Sequence, residues 1–484
     1  MKRRRFLGLV ATAAAGIGVV RGKPAGGSLG IASSTDTTVD DAALNFPKGN
    51  WGTCINGQTY QQEALVSLRG RQYAAYFADG GVLCVARRKL PDAKWEVIRF
   101  ADYRIKHTDV HNVAVLGICP ADGTIHLAFD HHGSPLHYRR SVPGIALKPE
   151  AVAWTASLFG EITSALEPGK PIERVTYPQF FSTPRGKLQL VFRTGGSGAG
   201  EWLLAEYDAT EKGWQVLGEL FSRSGVFGSS ESRCAYPNQF RYGPGDRLHA
   251  TWCWRETPKD SKFDLTTNHG LHYAFSDDFG RTWKNNDGEV IGVLGTDAKS
   301  AQSISIASPG IQVWDVPYRH GTMNTTTQCV DYRGRVHVVN WQLPSEAPGP
   351  SLDMNQWRYD HYWRDADGKW HQHRLPFYGR KPQLVMDDKG NAFVVFCKGS
   401  DHNYHDRDPG GDLCIAAASE DSSWTDWQII HQQNETFVGE PLLDQARWHE
   451  ERILSVYIQT VPKTAGAPSR LRVIDFTPSP PLER

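Results

Sequence analysis

The sequence predicts an all-β protein, a seven-bladed β-propeller of four-stranded antiparallel blades, on three observations. A single unit recurs seven times between Arg69 and Ile474: a turn, mostly with a Gly, then an alternating strand, a gap and a second strand. Many copies add a Trp after the second strand. One copy contains Ser276-Asp-Asp-Phe-Gly-Arg-Thr-Trp283, which fits S-x-D-x-G-x-T-W, the Asp-box turn at the rim of a propeller blade. In that turn the Asp accepts backbone hydrogen bonds, the Gly takes a positive φ and the Trp wedges between sheets.

The copies follow in order. The first is Arg69-Gly-Arg-Gln-Tyr-Ala-Ala-Tyr76 with Val82–Ala86 and Trp95. The second is Asp122-Gly-Thr-Ile-His-Leu-Ala-Phe129 with Leu136–Arg139. The third is Arg185–Phe192 with Trp202–Ala205 and Trp214, and the fourth is Gly245–Trp252 leading into the Asp-box. The fifth is Arg333–Asn340 with Tyr362 and Trp370; the sixth is Lys389–Phe396 with Leu413–Ala416 and Trp427. A weaker seventh is Glu451–Tyr457 with Leu471–Ile474. Each alternates apolar and other residues as half-buried strands do. Their even, Trp-marked spacing favours one closed repeat domain over an array of two-sheet sandwiches.

Composition agrees with one large domain. The 484 residues are 40% hydrophobic and 11% aromatic, enough for a globular β core, and the 16 Trp suit both blade wedges and sugar-stacking platforms. Lys+Arg and Asp+Glu both number 53, so net charge gives no support to a nucleic-acid or membrane-surface role. Residues 1–24 read as a twin-arginine signal peptide: Arg3, Arg4, Phe6 and Leu7 precede an apolar run from Leu9 to Val20 that is short for a membrane span. An uncleaved anchor is the alternative. Residues 25–45 read as a flexible linker of small and polar residues, and residues 46–484 as the propeller. The mature chain is expected in the periplasm or medium, as a monomer, with no membrane contact once the signal is removed. Eight Cys residues are scattered without a C-x-x-C and read mostly as buried free thiols, with Cys397 and Cys414 a candidate pair or metal site.

Strand ends near a propeller axis should be apolar or small, yet three adjacent repeats carry titratable and cationic groups there. The second offers His111, His131 and His132; the third Tyr177 and Arg193; the fourth Tyr236 and Arg255. A Tyr-Pro-x-Phe pattern at 177–180 recurs, stretched by one residue, at 236–240. Each residue alone has an ordinary structural reading. Together they suit an acidic ligand, with Arg to hold a carboxylate and His or Tyr to move protons. A second cluster, Asp401, His402 and His405 with Cys414, consists of zinc-ligand types in no standard spacing, and reads as a structural zinc site or a polar loop.

The set His111, His132, Tyr177, Arg193, Tyr236, Arg255 resembles that of the seven-bladed propeller ulvan lyases, in the wider BNR-repeat class of polysaccharide enzymes. The resemblance runs from Trp51 to about Phe476 and includes Gly57-Gln-Thr-Tyr-Gln-Gln62. It implies β-elimination at a uronic acid next to a rhamnose-type sugar of an acidic polysaccharide, with no cofactor for the chemistry. It implies Tyr177 and His111 as the acid/base candidates, Arg193 as the carboxylate neutraliser and His132 as its helper. Tyr236 and Arg255 would position the sugar, and His131 would be at most an accessory contact. A propeller glycoside hydrolase, such as an α-L-rhamnosidase acting on rhamnosyl-glucuronate, and a non-catalytic carbohydrate-binding propeller are the competing functions.

Overall fold

The computed structural model describes residues 29–260, 267–297, 299–320, 327–351, 353–398 and 410–479. Residues 1–24, read as a signal peptide, lie outside these, as do Asp401, His402 and His405. The described chain is almost entirely antiparallel strand, with one short α-helix, Gln445–Glu451. No helix among the described residues is long and apolar enough to cross a membrane.

The strands form five hydrogen-bonded sheets, of eleven, six, five, four and three strands, rather than seven separate ones. The difference has a local cause. Strand Gln428–Leu443 runs for 16 residues; its first part pairs with Gly410–Ala418 and its second with Leu454–Thr460. One strand thus serves both the sixth and the seventh repeat. Strand Gly30–Ala43 pairs along its length with Ser469–Ser479 and touches the first repeat at Ala43↔Ala78. These two links join three repeats into the eleven-stranded sheet.

That pairing corrects the reading of residues 25–45 as a linker. Composition rich in Ser and Thr signals a loop only when nothing lies alongside to pair with. Here β-branched Thr35, Thr37 and Thr38 face a strand more than 430 residues away, and Thr37 donates its hydroxyl to the carbonyl of Val473.

Apolar side chains fill the spaces between successive sheets. Leu271, Tyr273 and Phe275 of the fourth repeat pack on Val336, Val338 and Tyr362 of the fifth. Trp341 and Trp357 of the fifth meet Trp424 and Trp427 of the sixth. Phe393 and Val395 of the sixth meet Trp448, Val456 and Phe476, and Tyr457 and Val473 meet Tyr76 and Ala86 of the first. Inner strands such as Arg71–Ala78, Leu248–Glu256 and Asn268–Ser276 bury both faces, which explains how apolar residues can dominate strands that also alternate.

The Asp-box forms as its residue types dictate. Asp278 accepts from the Thr282 amide at 2.7 Å and from the Ser276 hydroxyl at 2.8 Å, and Ser276 Oγ accepts from the Gly280 amide at 2.8 Å. Gly280 sits at φ +83°, and Trp283 is fully buried with its indole N–H on the Gly280 carbonyl. All eight Cys are buried, and none forms a disulfide among the described residues. Cys397 and Cys414 do not pair. In their ladder Cys397 opposes Leu413 and Cys414 opposes Phe396, so the period-two alternation sends the two sulfurs to opposite faces. Cys414 lies among Val394, Trp424 and Trp427, where burial pushes its thiol up to about 11. This apolar setting does not fit a zinc ligand.

Candidate active site

Three bulged or broken strands set the site. In the third repeat Thr176 opposes Arg193 and Gln179 opposes Val191, so Tyr177 and Pro178 together face Phe192 alone. Pro cannot donate to the ladder, and a bulge is where a strand tolerates it. Tyr177 there takes φ +54°, a strained value for an aromatic residue that the surrounding structure must hold in place. In the fourth repeat the extra residue is Asn238, between Pro237 opposite Trp252 and Gln239 opposite Thr251. In the second repeat Asp130, at φ +60°, turns the chain so that the short strand His132–Ser134 leaves its own sheet and pairs with the third, His132 opposite Thr176.

These devices bring His111, His132, Tyr177, Arg193, Tyr236 and Arg255 into one continuous cluster. The His111 ring stacks on His132, with centroids 4.2 Å apart, and on Tyr60 at 4.8 Å. Tyr60 lies 5.4 Å from the Tyr177 ring, and Tyr177 lies 6.2 Å from Tyr236. The Arg193 guanidinium covers Tyr177 at 4.9 Å, and that of Arg255 covers Tyr236 at 4.4 Å. Both guanidinium groups donate to Tyr236 Oη, at 3.3 and 3.0 Å, and Ser197 Oγ lies 2.9 Å from the same oxygen. Arg255 is further fixed by Asn268 Oδ1 at 2.6 Å. His132 opens toward solvent, with 31% of its side chain exposed, and the edge of Trp51 stands beside His111.

His131 does not join them. Its ring stacks on His137 and accepts the His137 amide at 2.7 Å, so it is buried inside the repeat while its neighbour His132 faces the cluster. His131 precedes the short strand His132–Ser134, and the turn at Asp130 sends the two rings to different places.

Asp109 orients the histidines. Its two oxygens take the Nδ1 atoms of His111 and His132, at 2.6 and 2.9 Å. A carboxylate on Nδ1 fixes that nitrogen as the protonated one and leaves Nε2 as the free base of a neutral ring. Burial works against the Asp109 charge, but the two histidine hydrogen bonds outweigh it and hold the carboxyl well below its ordinary range. Burial pushes His111 down to about 4, with Asp109 opposing. His111 is therefore a neutral imidazole near neutral pH. Burial also lifts the Tyr177 phenol well above its ordinary value, so it stays protonated. Asp109, His111 and His132 place donors within 4.8 Å of one another, as a metal site requires. The carboxylate is, however, already spent on both rings.

The two arginines supply unspent donors. Arg193 Nε and one terminal nitrogen of Arg255 are buried and unpartnered among the described residues. A buried cationic donor left this way costs free energy unless a ligand meets it. Neither arginine forms an ion pair with a carboxylate among the described residues.

Sequence reasoning missed Tyr60 as a ring of the cluster, Asp109 as its orienting acid, and a buried pair on its far side, Lys381 and Glu440. A signal for Lys381 was present: Lys381-Pro-Gln383 repeats the Tyr177-Pro-Gln179 of the third repeat.

Comparison with known proteins gives the chain a family. Residues 71–377 match the model of the BNR repeat-containing family. The long isoform of ulvan lyase from Pseudoalteromonas sp. (strain PLSV) is 27% identical over 336 residues, which cover 62% of this chain and 32% of that protein. The short isoform from Alteromonas sp. (strain LOR) is 24% identical over 241 residues, 41% of this chain and 45% of that one. The chain thus aligns with about a third of the length of the long isoforms it matches. Among solved structures, the polysaccharide lyase Uly1 superposes with a TM-score of 0.70 at 16% identity, over 92% of this chain and 99% of that one. A PL25 ulvan lyase bound to -[GlcA(1-4)Rha3S]- gives 0.62 at 12% identity, over 90% and 94%. At these identities the likeness is one of fold.

Proposed function

The chain belongs to the BNR repeat-containing family, and from that premise we propose that it is a polysaccharide lyase acting on ulvan, cleaving at the uronic acid of a rhamnose–uronate linkage by β-elimination. The observation that carries the proposal is the cluster itself. Two guanidinium groups with unspent buried donors adjoin a neutral imidazole with a free Nε2 and a protonated phenol.

The chemistry follows from those groups. Arg193 takes the uronate carboxylate through its fork, which makes the adjoining C5–H more acidic and stabilises the negative charge that develops as it leaves. His111 Nε2 accepts the C5 proton. The freed electron pair forms the C4–C5 double bond, the C4–O bond breaks, and Tyr177 protonates the departing oxygen. The products are an unsaturated uronate and a shortened chain. His111 is a weak base in the free protein, but an anionic sugar brought beside it favours the charged ring and raises its basicity when substrate is bound. His132 shares Asp109 and keeps the His111 ring in place by stacking, while Tyr236 and Arg255 hold the sugar.

The rhamnosidase alternative calls for two free carboxyl groups flanking the scissile bond. The two acids at this cluster are otherwise engaged: Asp109 on both histidines, Glu440 on the Thr59 amide at 2.7 Å. This favours elimination. On the architectural side, the paired strand groups suit seven blades arranged around an axis, with the last completed by strands from both chain ends. We place the protein outside the cytoplasm after twin-arginine export.

Incubating the purified protein with ulvan and with rhamnose-capped glucuronate glycans tests the reading. A lyase generates products with the ultraviolet absorbance of an unsaturated uronate. Cleavage without that absorbance would assign the protein to the hydrolases, and binding without cleavage to the carbohydrate-binding propellers.

A further inference from the structure

A second cavity lies at the far ends of the strands that carry the cluster. Tyr177 stands near the start of strand Val175–Ser182 and Phe181 near its end; Tyr236 and Tyr242 divide strand Arg233–Tyr242 in the same way. Phe181 and Tyr242 line a cavity of about 200 Å³. At about 3.3 Å per residue, the four residues from Tyr177 to Phe181 set it on the order of 13 Å from the cluster. Between Tyr236 and Tyr242 comes Gln239, part of a buried layer of amides: its Nε2 donates to Gln62 Oε1 at 2.7 Å and to Gln383 Oε1 at 3.3 Å. No residue of the catalytic cluster lines the second cavity.

Polar groups converge on this cavity without being satisfied. Arg241 Nη1 donates to Glu63 Oε1 at 2.8 Å, and both side chains are nearly buried. Arg241 Nε and Gln445 Nε2 are buried and have no hydrogen-bond partner among the described residues. Gln445 and His449 stand one turn apart on the helix Gln445–Glu451, so both reach the cavity from one helix face. Glu63 takes φ +64°, a strained backbone value of the kind that gathers at ligand sites. Aromatic rings make up more of the lining: Phe181 and Phe240 stack with centroids 5.7 Å apart, and Tyr242 lies 6.2 Å from Phe181. A buried donor without an acceptor costs free energy that a bound oxygen would recover.

We propose that this cavity binds a neutral monosaccharide, at a site separate from the catalytic cluster. The inference goes beyond the lyase reading and does not depend on it. Size limits the ligand to one ring, since drug-sized molecules occupy about 300–1,000 Å³. Charge limits it to a neutral one: Glu63 repels an anion and Arg241 a cation, while the pair together is neutral. The unpartnered Arg241 and Gln445 donors call for oxygen acceptors, and the Glu63 carboxylate can accept in return. Sugar hydroxyls fill both roles on neighbouring carbons. The C–H face of the ring then lies on the aromatic part of the lining.

The test titrates D-glucose, D-xylose and L-rhamnose, with D-glucuronate as the charged comparison, by calorimetry and ligand-observed NMR. The proteins are wild type, Gln445→Met, Val66→Phe and Arg193→Lys, each with a melting curve to verify the fold. Gln445→Met keeps the chain length and removes the N–H donors; Val66→Phe fills the cavity, which Val66 lines. At least one neutral sugar should bind wild type saturably, with a dissociation constant of about 1 mM, the scale of a small ligand with few contacts. Gln445→Met should weaken that binding about 3- to 10-fold, the range of one hydrogen bond, and Val66→Phe by more. Arg193→Lys, which alters only the catalytic cluster, should bind the sugar as wild type does. No saturable binding of any of the three neutral sugars overturns the proposal. So does binding that is lost in Arg193→Lys but kept in Gln445→Met and Val66→Phe, which would assign it to the cluster. Glucuronate binding that survives Arg193→Lys and exceeds that of every neutral sugar would overturn the neutral-ligand assignment.

Discussion

Replacing Tyr177 by Phe removes one oxygen atom and leaves the rest of the residue's work in place. The ring still meets Tyr60 at 5.4 Å and Tyr236 at 6.2 Å, and still lies beneath the Arg193 guanidinium. The hydroxyl makes no hydrogen bond to a described residue, so its loss strands no buried partner, and the cost in stability should stay below about 1 kcal/mol. The positive φ at this position is already held by the bulge and is no worse for Phe than for Tyr. The effect should therefore fall on turnover. A positioned general acid is worth about 100- to 10,000-fold, which at 1.36 kcal/mol per decade is about 3 to 5 kcal/mol of barrier. The assay is the initial rate of unsaturated uronate formation from ulvan, with a melting curve on the same preparation to verify the fold. Polymer binding should weaken less than kcat falls, because the acid acts mainly in the transition state. A variant that melts normally and retains kcat within about threefold of wild type would remove Tyr177 from the mechanism and pass the leaving-group proton to a histidine.

Arg193→Lys keeps the charge but loses the two-pronged grip on a carboxylate, so kcat/KM should fall at least about tenfold, 1.4 kcal/mol, with little change in melting temperature; parity with wild type would shift carboxylate binding to Arg255. Gly200→Ala places a Cβ 2.8 Å from Arg193 Cδ and from two backbone oxygens, so it should cost about 1–3 kcal/mol in chemical denaturation and lower turnover by displacing Arg193; unaltered activity would show that Arg193 tolerates displacement. For pH, His111 titrates near 4 when folded and near 6.5 in the unfolded chain. The unfolded chain therefore takes up the proton first, so this group's contribution is fully present above about 6.5 and is lost as pH falls toward about 4. The acid limb of kcat/KM for the free enzyme should likewise lie near 4, and a limb near 6.5 would argue that the essential base is not His111.

The sequence alone determined what depends on short-range pattern. The Asp-box at 276–283 is legible because every group that satisfies it lies within eight residues, so its hydrogen bonds and the φ of Gly280 follow from residue type. The all-β class is legible for the same reason, since alternation is a property of single strands. Tyr177, Arg193, Tyr236 and Arg255 stood out because cations and phenols at strand ends are anomalous in an apolar repeat. Pairing between distant segments was decided only by the tertiary structure. Residues 30–43 look like a linker until Ser469–Ser479 supplies the hydrogen bonds that make them a strand. His131 and His132 are neighbours in sequence, and only the turn at Asp130 decides that one is buried against His137 while the other reaches Asp109. Lys381 lies more than 260 residues from His111 and becomes its neighbour's neighbour, through Tyr60, only because the chain returns to the first repeat. A residue's type can be read in place, but its partners are set by burial and chain return, which no local pattern encodes.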